Sequence, residues 1–187
     1  AGDPANTIQS LLRYQDDRSN NVDDLLRHAV AMNVSGVPSL VFAAGDPMMD
    51  DGVELWKSDG SVRGTFSVAD LNPYGGSNPQ AMAMVDGELF FLADENGWVN
   101  DNGQLEYAVW KWDGGVGGPT LVDADPRFAL DEPDPQIEGA ADGGLYFFTI
   151  VNSLSRSLWS GDGVDTNLLL PPESAVQLRD LTPLGGQ

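Results

Sequence analysis

Two stretches of this chain carry oxygen donors at the density that a hard cation needs. Asp46 to Glu54 includes Asp50-Asp51-Gly52, and Asp94 to Glu106 includes Asn100-Asp101-Asn102-Gly103. Alternating Asp and Asn on a tight, Gly-bearing backbone offer carboxylate and carbonyl oxygens to Ca2+. Asp50, Asp51, Asp94, Asn100, Asp101 and Asn102 are therefore the candidate metal ligands. Neither stretch has EF-hand spacing, and the corresponding third stretch, Thr149 to Arg156, has no acid. Solvated acidic loops are the plainer alternative. Tryptophan suggests a second chemistry, the stacking of an indole on a sugar. Trp56, Trp110 and Trp159 each open the pentad Trp-x-x-Asp-Gly, completed by Asp59-Gly60, Asp113-Gly114 and Asp162-Gly163. A large ring at one position of every repeat more often packs between neighbouring sheets, with the Asp capping the turn that the Gly completes. Trp98 and Trp112 stand outside the pattern and are the better candidates for an exposed contact surface, although burial is the commoner fate even for them.

For catalysis the inventory is thin. The chain has no cysteine and one histidine, His28, which excludes a Cys nucleophile, a disulfide framework and any site needing two imidazoles. No Gly-x-Ser-x-Gly, P-loop or His-Glu-x-x-His pattern occurs. Carboxylate pairs of the kind that hydrolyse glycosides arise by chance among 29 acidic residues. The expectation is a protein that is not an enzyme. With 29 acidic and 9 basic residues the net charge is -20. Such a field repels nucleic acid and anionic membrane surfaces, whose binding rests on Lys and Arg. It suits solubility in a salty or calcium-rich exterior. Apolar runs such as Val41-Phe42-Ala43-Ala44 are far too short to cross a bilayer. The opening Ala1, without an initiator Met, fits a mature exported chain whose signal has been removed, and fits any internal starting point equally.

The elements that must position these residues read as strands. Each pentad follows an apolar aromatic run, namely Leu40-Val41-Phe42, Leu89-Phe90-Phe91 and Leu145-Tyr146-Phe147-Phe148. Each is followed by a second apolar stretch: Thr65-Phe66-Ser67-Val68, Thr120-Leu121-Val122 and Leu168-Leu169-Leu170. An Asp-x-x-Pro element comes next, at Asp70 to Pro73 and Asp180 to Pro183, with a degenerate copy at Asp123 to Pro126. Short apolar runs bounded by Gly, Pro, Asn and Asp predict strands, and Asp-Gly predicts hairpin turns. A fourth strand per unit follows the turn, at Ala81 to Val85 and around Gln136 to Ala140. Four antiparallel strands in every 45–55 residues or so is the unit of a β-propeller or related solenoid.

The segment from Glu54-Leu55-Trp56 to Gly64-Thr65 resembles the ELWxxDGT repeat family of bacterial exported proteins. Val68-Ala69-Asp70-Leu71-Asn72-Pro73 and Asp86-Gly87-Glu88-Leu89-Phe90-Phe91 continue that family's pattern in order. The second and third copies depart from it, with Gly115 and Val164 where the family has Thr. The resemblance covers roughly residues 28–187 and implies an exported, surface-associated β-repeat protein without transferable catalytic residues. Family members are often long arrays, beside which three units is short.

These observations predict an all-β, propeller-like array of three roughly four-stranded antiparallel blades, in units of about 28–86, 87–142 and 143–187. Residues 1–27 form an N-terminal arm and polar linker, with Ile8, Leu11 and Leu12 as its sticky face. Ala29-Val30-Ala31-Met32 matches Ala81-Met82-Ala83-Met84, so on this division the chain enters on the last strand of a blade and ends where that strand is due. The array is then open, or completed by strand exchange using Ile8, Leu11, Leu12 and Ala29 to Met32. The function expected is an extracellular or cell-surface structural subunit that associates with itself into a filament or layer. The alternative is a propeller-type adhesion module that binds glycan or calcium.

Overall fold

The computed structural model describes residues 29–45, 52–97, 106–129, 136–139, 145–152, 155–161 and 166–170. Those residues form twelve strands and, among themselves, no helix. The first sheet comprises β1 (Ala29–Val34), β2 (Val37–Gly45), β3 (Val53–Ser58) and β4 (Phe66–Ala69). The second comprises β5 (Gln80–Val85), β6 (Glu88–Ala93), β7 (Glu106–Trp112) and β8 (Thr120–Ala129). The third comprises β9 (Gln136–Gly139), β10 (Leu145–Asn152), β11 (Ser155–Gly161) and β12 (Thr166–Leu170). Each sheet is an antiparallel meander in chain order.

This grouping corrects the expected unit boundaries. The strand containing Ala81 to Val85 opens the second sheet and does not close the first, because it pairs with β6. Likewise β9 pairs with β10 and opens the third sheet. Ala29, Val30, Ala31 and Met32 lie in β1 and pair with Phe42, Val41, Leu40 and Ser39 of β2. All three sheets therefore have four strands from their own stretch of chain, and strand exchange is not needed to complete any of them. The sequence pattern could not separate the two groupings, since a linker and a hairpin loop both read as polar turns.

Hairpin geometry fixes the register. Ser35-Gly36 and Asp86-Gly87 join the first two strands of their sheets, with φ of 51° and 81° in one and 49° and 87° in the other. Two consecutive residues at positive φ make the turn whose twist suits a two-residue hairpin. Further along, each pentad tryptophan pairs with a phenylalanine of the preceding strand. The pairs are Phe42 with Trp56, Phe91 with Trp110 and Phe147 with Trp159. In all three sheets the ladder to the next strand slips immediately before the tryptophan, between Leu55 and Trp56, Val109 and Trp110, and Leu158 and Trp159. A bulge at a fixed position turns the strand and re-aims the ring.

The sheets stack in series around two apolar seams. The first holds Met32, Val34, Val41 and Leu55 of the first sheet against Leu89, Phe91, Ala93 and Trp112 of the second. Ala81, Val85, Phe90, Leu92, Tyr107 and Val109 form the second, with Trp159 of the third sheet packed against them. Burial explains the composition of the strands. β6 is apolar at five successive positions because both of its faces are covered, whereas β1 alternates, with Ala31 and Asn33 exposed and Met32 and Val34 buried. Phe91 has no exposed surface. Phe91→Ala is expected to cost about 3–5 kcal/mol, read as a shift of the guanidinium unfolding midpoint.

Candidate functional site: the seam between the first two sheets

The first seam brings together Val30, Met32, Trp110 and Trp112 of the residues that the sequence pattern picks out. Trp110 packs into it beside Phe91, and its Nε1 is buried without a hydrogen-bond partner. Trp112 is also buried there, and its Nε1 donates to the Gly115 carbonyl at 2.9 Å. Trp112 is thus part of the core and not of a contact surface. Trp159 plays the equivalent part at the second seam. Trp56 belongs to neither core.

The Asp-Gly turns are held by local hydrogen bonds. Asp59 Oδ1 accepts from the Ser61 N–H at 2.8 Å and the Ser61 hydroxyl at 2.7 Å. Those bonds, hydroxyl first, hold the Asp59 carboxyl below its ordinary pKa. Ser61 Oγ accepts from the Gly64 N–H at 3.0 Å, and Thr65 Oγ1 donates to the Ser61 carbonyl at 2.7 Å. A Cβ on Gly64 would fall on the Asp59 carboxylate, which explains the glycine there. In the second copy Asp113 Oδ1 accepts from the Gly115 N–H at 2.7 Å. Each described Asp of the pentad therefore spends an oxygen on a backbone donor two residues on, which is an Asx turn.

The second of these turns is also a socket. Ser35, at the tip of the β1–β2 hairpin, donates its N–H to the Gly114 carbonyl at 2.9 Å. Gly114 has φ of 80°, and a Cβ there would collide with the Asn33 carbonyl. The Asp-Gly turn of one sheet thus seats the leading hairpin of the sheet before it.

At the other end of the seam lies a buried polar knot. Glu54 is 4% exposed and Asp94 1%. The linker between β4 and β5 satisfies them both. Glu54 Oε1 accepts from the Ser77 N–H at 2.8 Å, and Oε2 accepts from the Ser77 hydroxyl. Asp94 Oδ2 accepts from Asn72 Nδ2 at 3.0 Å, and Oδ1 accepts from the N–H groups of Asn96 and Gly97 at 3.1 and 2.8 Å. Two backbone bonds close the knot: Asp94 N–H to the Ser77 carbonyl at 2.8 Å, and Asn78 N–H to the Val53 carbonyl at 2.9 Å. Burial raises the Glu54 pKa against the opposing Ser77 bonds, with the Asp70 charge adding to the rise. Desolvation and the Asp94 charge likewise raise the Tyr107 phenol.

Sequence analysis placed Asp94 among calcium ligands, but both of its oxygens here face N–H donors. Among the described residues no group of three or more His, Asp or Glu side chains is placed to hold a metal ion. Asp50, Asp51, Asn100, Asp101 and Asn102 lie outside the described residues, as do Asp162, Gly163, Trp98, His28, Ile8, Leu11 and Leu12. The knot itself was missed. Its available signal was Glu54, a charged residue in the otherwise apolar run of Val53, Leu55 and Trp56, followed by Asn72 in the linker.

No protein-family model matches the chain, and no curated protein matches it by sequence. Several solved structures share part of its shape. TolB from Acinetobacter baumannii aligns at 15% identity and a TM-score of 0.46, over 76% of this chain and 32% of that one. Zg3597, a family 117 glycoside hydrolase produced by the marine bacterium Zobellia galactanivorans, aligns at 15% and 0.42, over 75% and 44%. MPT-1, a GDP-Man-dependent mannosyltransferase from Leishmania mexicana, aligns at 14% and 0.38, over 86% and 53%. The chain thus spans between 32% and 53% of the length of these proteins. Their activities belong to them.

Two outcomes are expected at the seam. Glu54→Leu leaves the Ser77 N–H and hydroxyl without an acceptor in a buried site, at a cost of about 1–3 kcal/mol measurable by urea denaturation. Glu54→Gln keeps an acceptor and removes the titration. A carboxyl whose folded pKa is raised binds protons more readily in the folded state, so its contribution is full at low pH and is lost as pH rises from about 4.3 through the raised value. Stability measured against pH is therefore expected to fall across that window more steeply in the native chain than in Glu54→Gln.

Proposed function

We propose that this chain is an exported structural β-repeat subunit, of the ELWxxDGT type, that associates with itself at a cell surface or outside the cell. On this reading the three sheets are consecutive blades of a propeller-like array. The observation that carries it is the recurrence of one cross-strand Phe–Trp pair and one bulge in all three sheets, together with the Asp-Gly socket and the Glu54–Asp94 knot that join the first two. Among the described residues, the carboxylates of Glu54, Asp59, Asp94 and Asp113 are held by donors of the scaffold itself. Resemblance to the repeat family gains physical content from the same geometry. Glu54, Asp59, Gly64 and Asn72, all in the matching stretch, each have a definite structural task.

Several features support association over a solitary role. Each sheet is complete, so the strand exchange considered from sequence is set aside in favour of contact between sheet faces. Stacked units of this kind contact only their neighbours, and an uncovered terminal face in such a series is a place to add another. The charge of -20 fits an exported protein in a salty medium, where screening permits copies to approach. Multi-angle light scattering across a concentration series, at about 0.1 M and 0.5 M salt, checks this. Mass is expected to climb with concentration and with salt. A strictly monomeric chain under every condition would contradict the proposal.

A further inference from the structure

The two seams share one design, and the first sheet carries half of a third. On the second sheet, Leu89, Phe91 and Ala93 of β6 stand at alternate positions, with Trp110 opposite Phe91. The first sheet covers that ladder, and all three β6 residues have no exposed surface. The first sheet repeats the ladder as Leu40, Phe42 and Ala44 of β2, with Trp56 opposite Phe42. This copy lies on the face opposite Val41 and Leu55, which are the residues that enter the first seam. Leu40, Phe42 and Trp56 are only partly buried and belong to neither core. Ala31, which pairs with Leu40 on that face, is exposed. Phe66, at the start of β4, is 47% exposed, with the Lys57 ammonium 4.6 Å from its ring centre. Beside the ladder stands a second Asp-Gly turn, Asp59-Gly60, with Gly60 at φ of 87°, matching the Gly114 socket at 80°.

We infer that this outer face of the first sheet receives the third sheet of a second copy of the chain, continuing the seam series from one molecule to the next. The inference rests on the proposed self-association and names its surface and partner. The choice of occupant follows from the order of the stack. At each seam the ladder side belongs to the later sheet, and the covering side belongs to the sheet before it. The sheet with no successor in the described chain is the third. Its β10 and β11 place Tyr146 and Phe148 at the register positions next to Phe147, and Leu158 next to Trp159. These are the counterparts of Val41 and Leu55, which cover the first seam. Ladder on one side and cover on the other make a head-to-tail contact, which propagates and is not self-complementary.

A photo-crosslinker tests this. p-Benzoylphenylalanine replaces Phe42 in the full chain, which is mixed with an equal amount of 15N-labelled chain and irradiated. Crosslinked peptides are then identified by mass spectrometry. The expected product joins position 42 of one copy to residues 145–161 of a copy with the other isotope. A crosslink to residues 1–28 of the same chain would make the arm the occupant and overturn the inference. So would a crosslink to the first sheet of another copy, which denotes a face-to-face pair. In parallel, sedimentation of Phe42→Arg is expected to show at least a tenfold weaker association, with an unchanged circular-dichroism spectrum. Association that persists unaltered in Phe42→Arg would overturn this surface and leave the self-association reading standing. A native chain that never associates removes both. Because a folding defect could mimic the effect, Ala31→Arg on the same exposed face serves as a second variant with the same expected loss.

Discussion

The seam between successive sheets is the constraint on which this fold depends. A single four-stranded meander has two faces, and its apolar residues meet water until a neighbour covers them. It becomes stable when a neighbour covers one face, and the middle sheet becomes a core element because neighbours cover both. At the first seam the cross-strand pair of Phe91 and Trp110 supplies large rings, and the bulge before Trp110 turns its strand there. Aromatic pairs on a pleated surface contribute on the order of 0.2–1 kcal/mol beyond what small residues give. Excluding water from the whole ladder matters more than any one pair.

Polar residues support the seam at its two ends, and they do so at different cost. The Ser35–Gly114 bond is a backbone contact, and it needs a glycine because a Cβ at position 114 would meet the Asn33 carbonyl. The Glu54–Asp94 knot takes two carboxyl groups out of water, and that is tolerable because each receives donors on both oxygens. A buried charged group satisfied in this way adds little net stability but strongly disfavours arrangements that leave it unpaired. The knot thereby selects one path for the linker between β4 and β5. The equivalent of Glu54 two residues before the tryptophan is Ala108 in the second sheet and Ser157 in the third, neither of which carries a carboxyl group.

Much of this was legible in the sequence, and the remainder was hidden for physical reasons. Alternation in β1, the unbroken apolar run in β6 and the Asp-Gly turns announce strands and hairpins, because their signals are local. The threefold tryptophan announces a repeat. The grouping of strands into sheets was not legible. Whether Ala81 to Val85 pairs backward with β4 or forward with β6 is decided by a two-residue hairpin on one side and a ten-residue linker on the other, which resemble each other in composition. Composition records the acid at Asp94 and not the donors that fold against it. Asn72 lies 22 positions away, and nothing in the spacing links the two.

The linker knot also has a mechanical meaning. Chain enters the second sheet only after passing Ser77 and Asn78, which are tied to Glu54 and Val53 of β3. Asp94, at the far end of β6, grips Asn72 and Ser77 from the other side. The linker therefore cannot be drawn away from one sheet without breaking its bonds to the other. One short stretch of linker thus fastens the first two sheets to each other as well as connecting them in the chain.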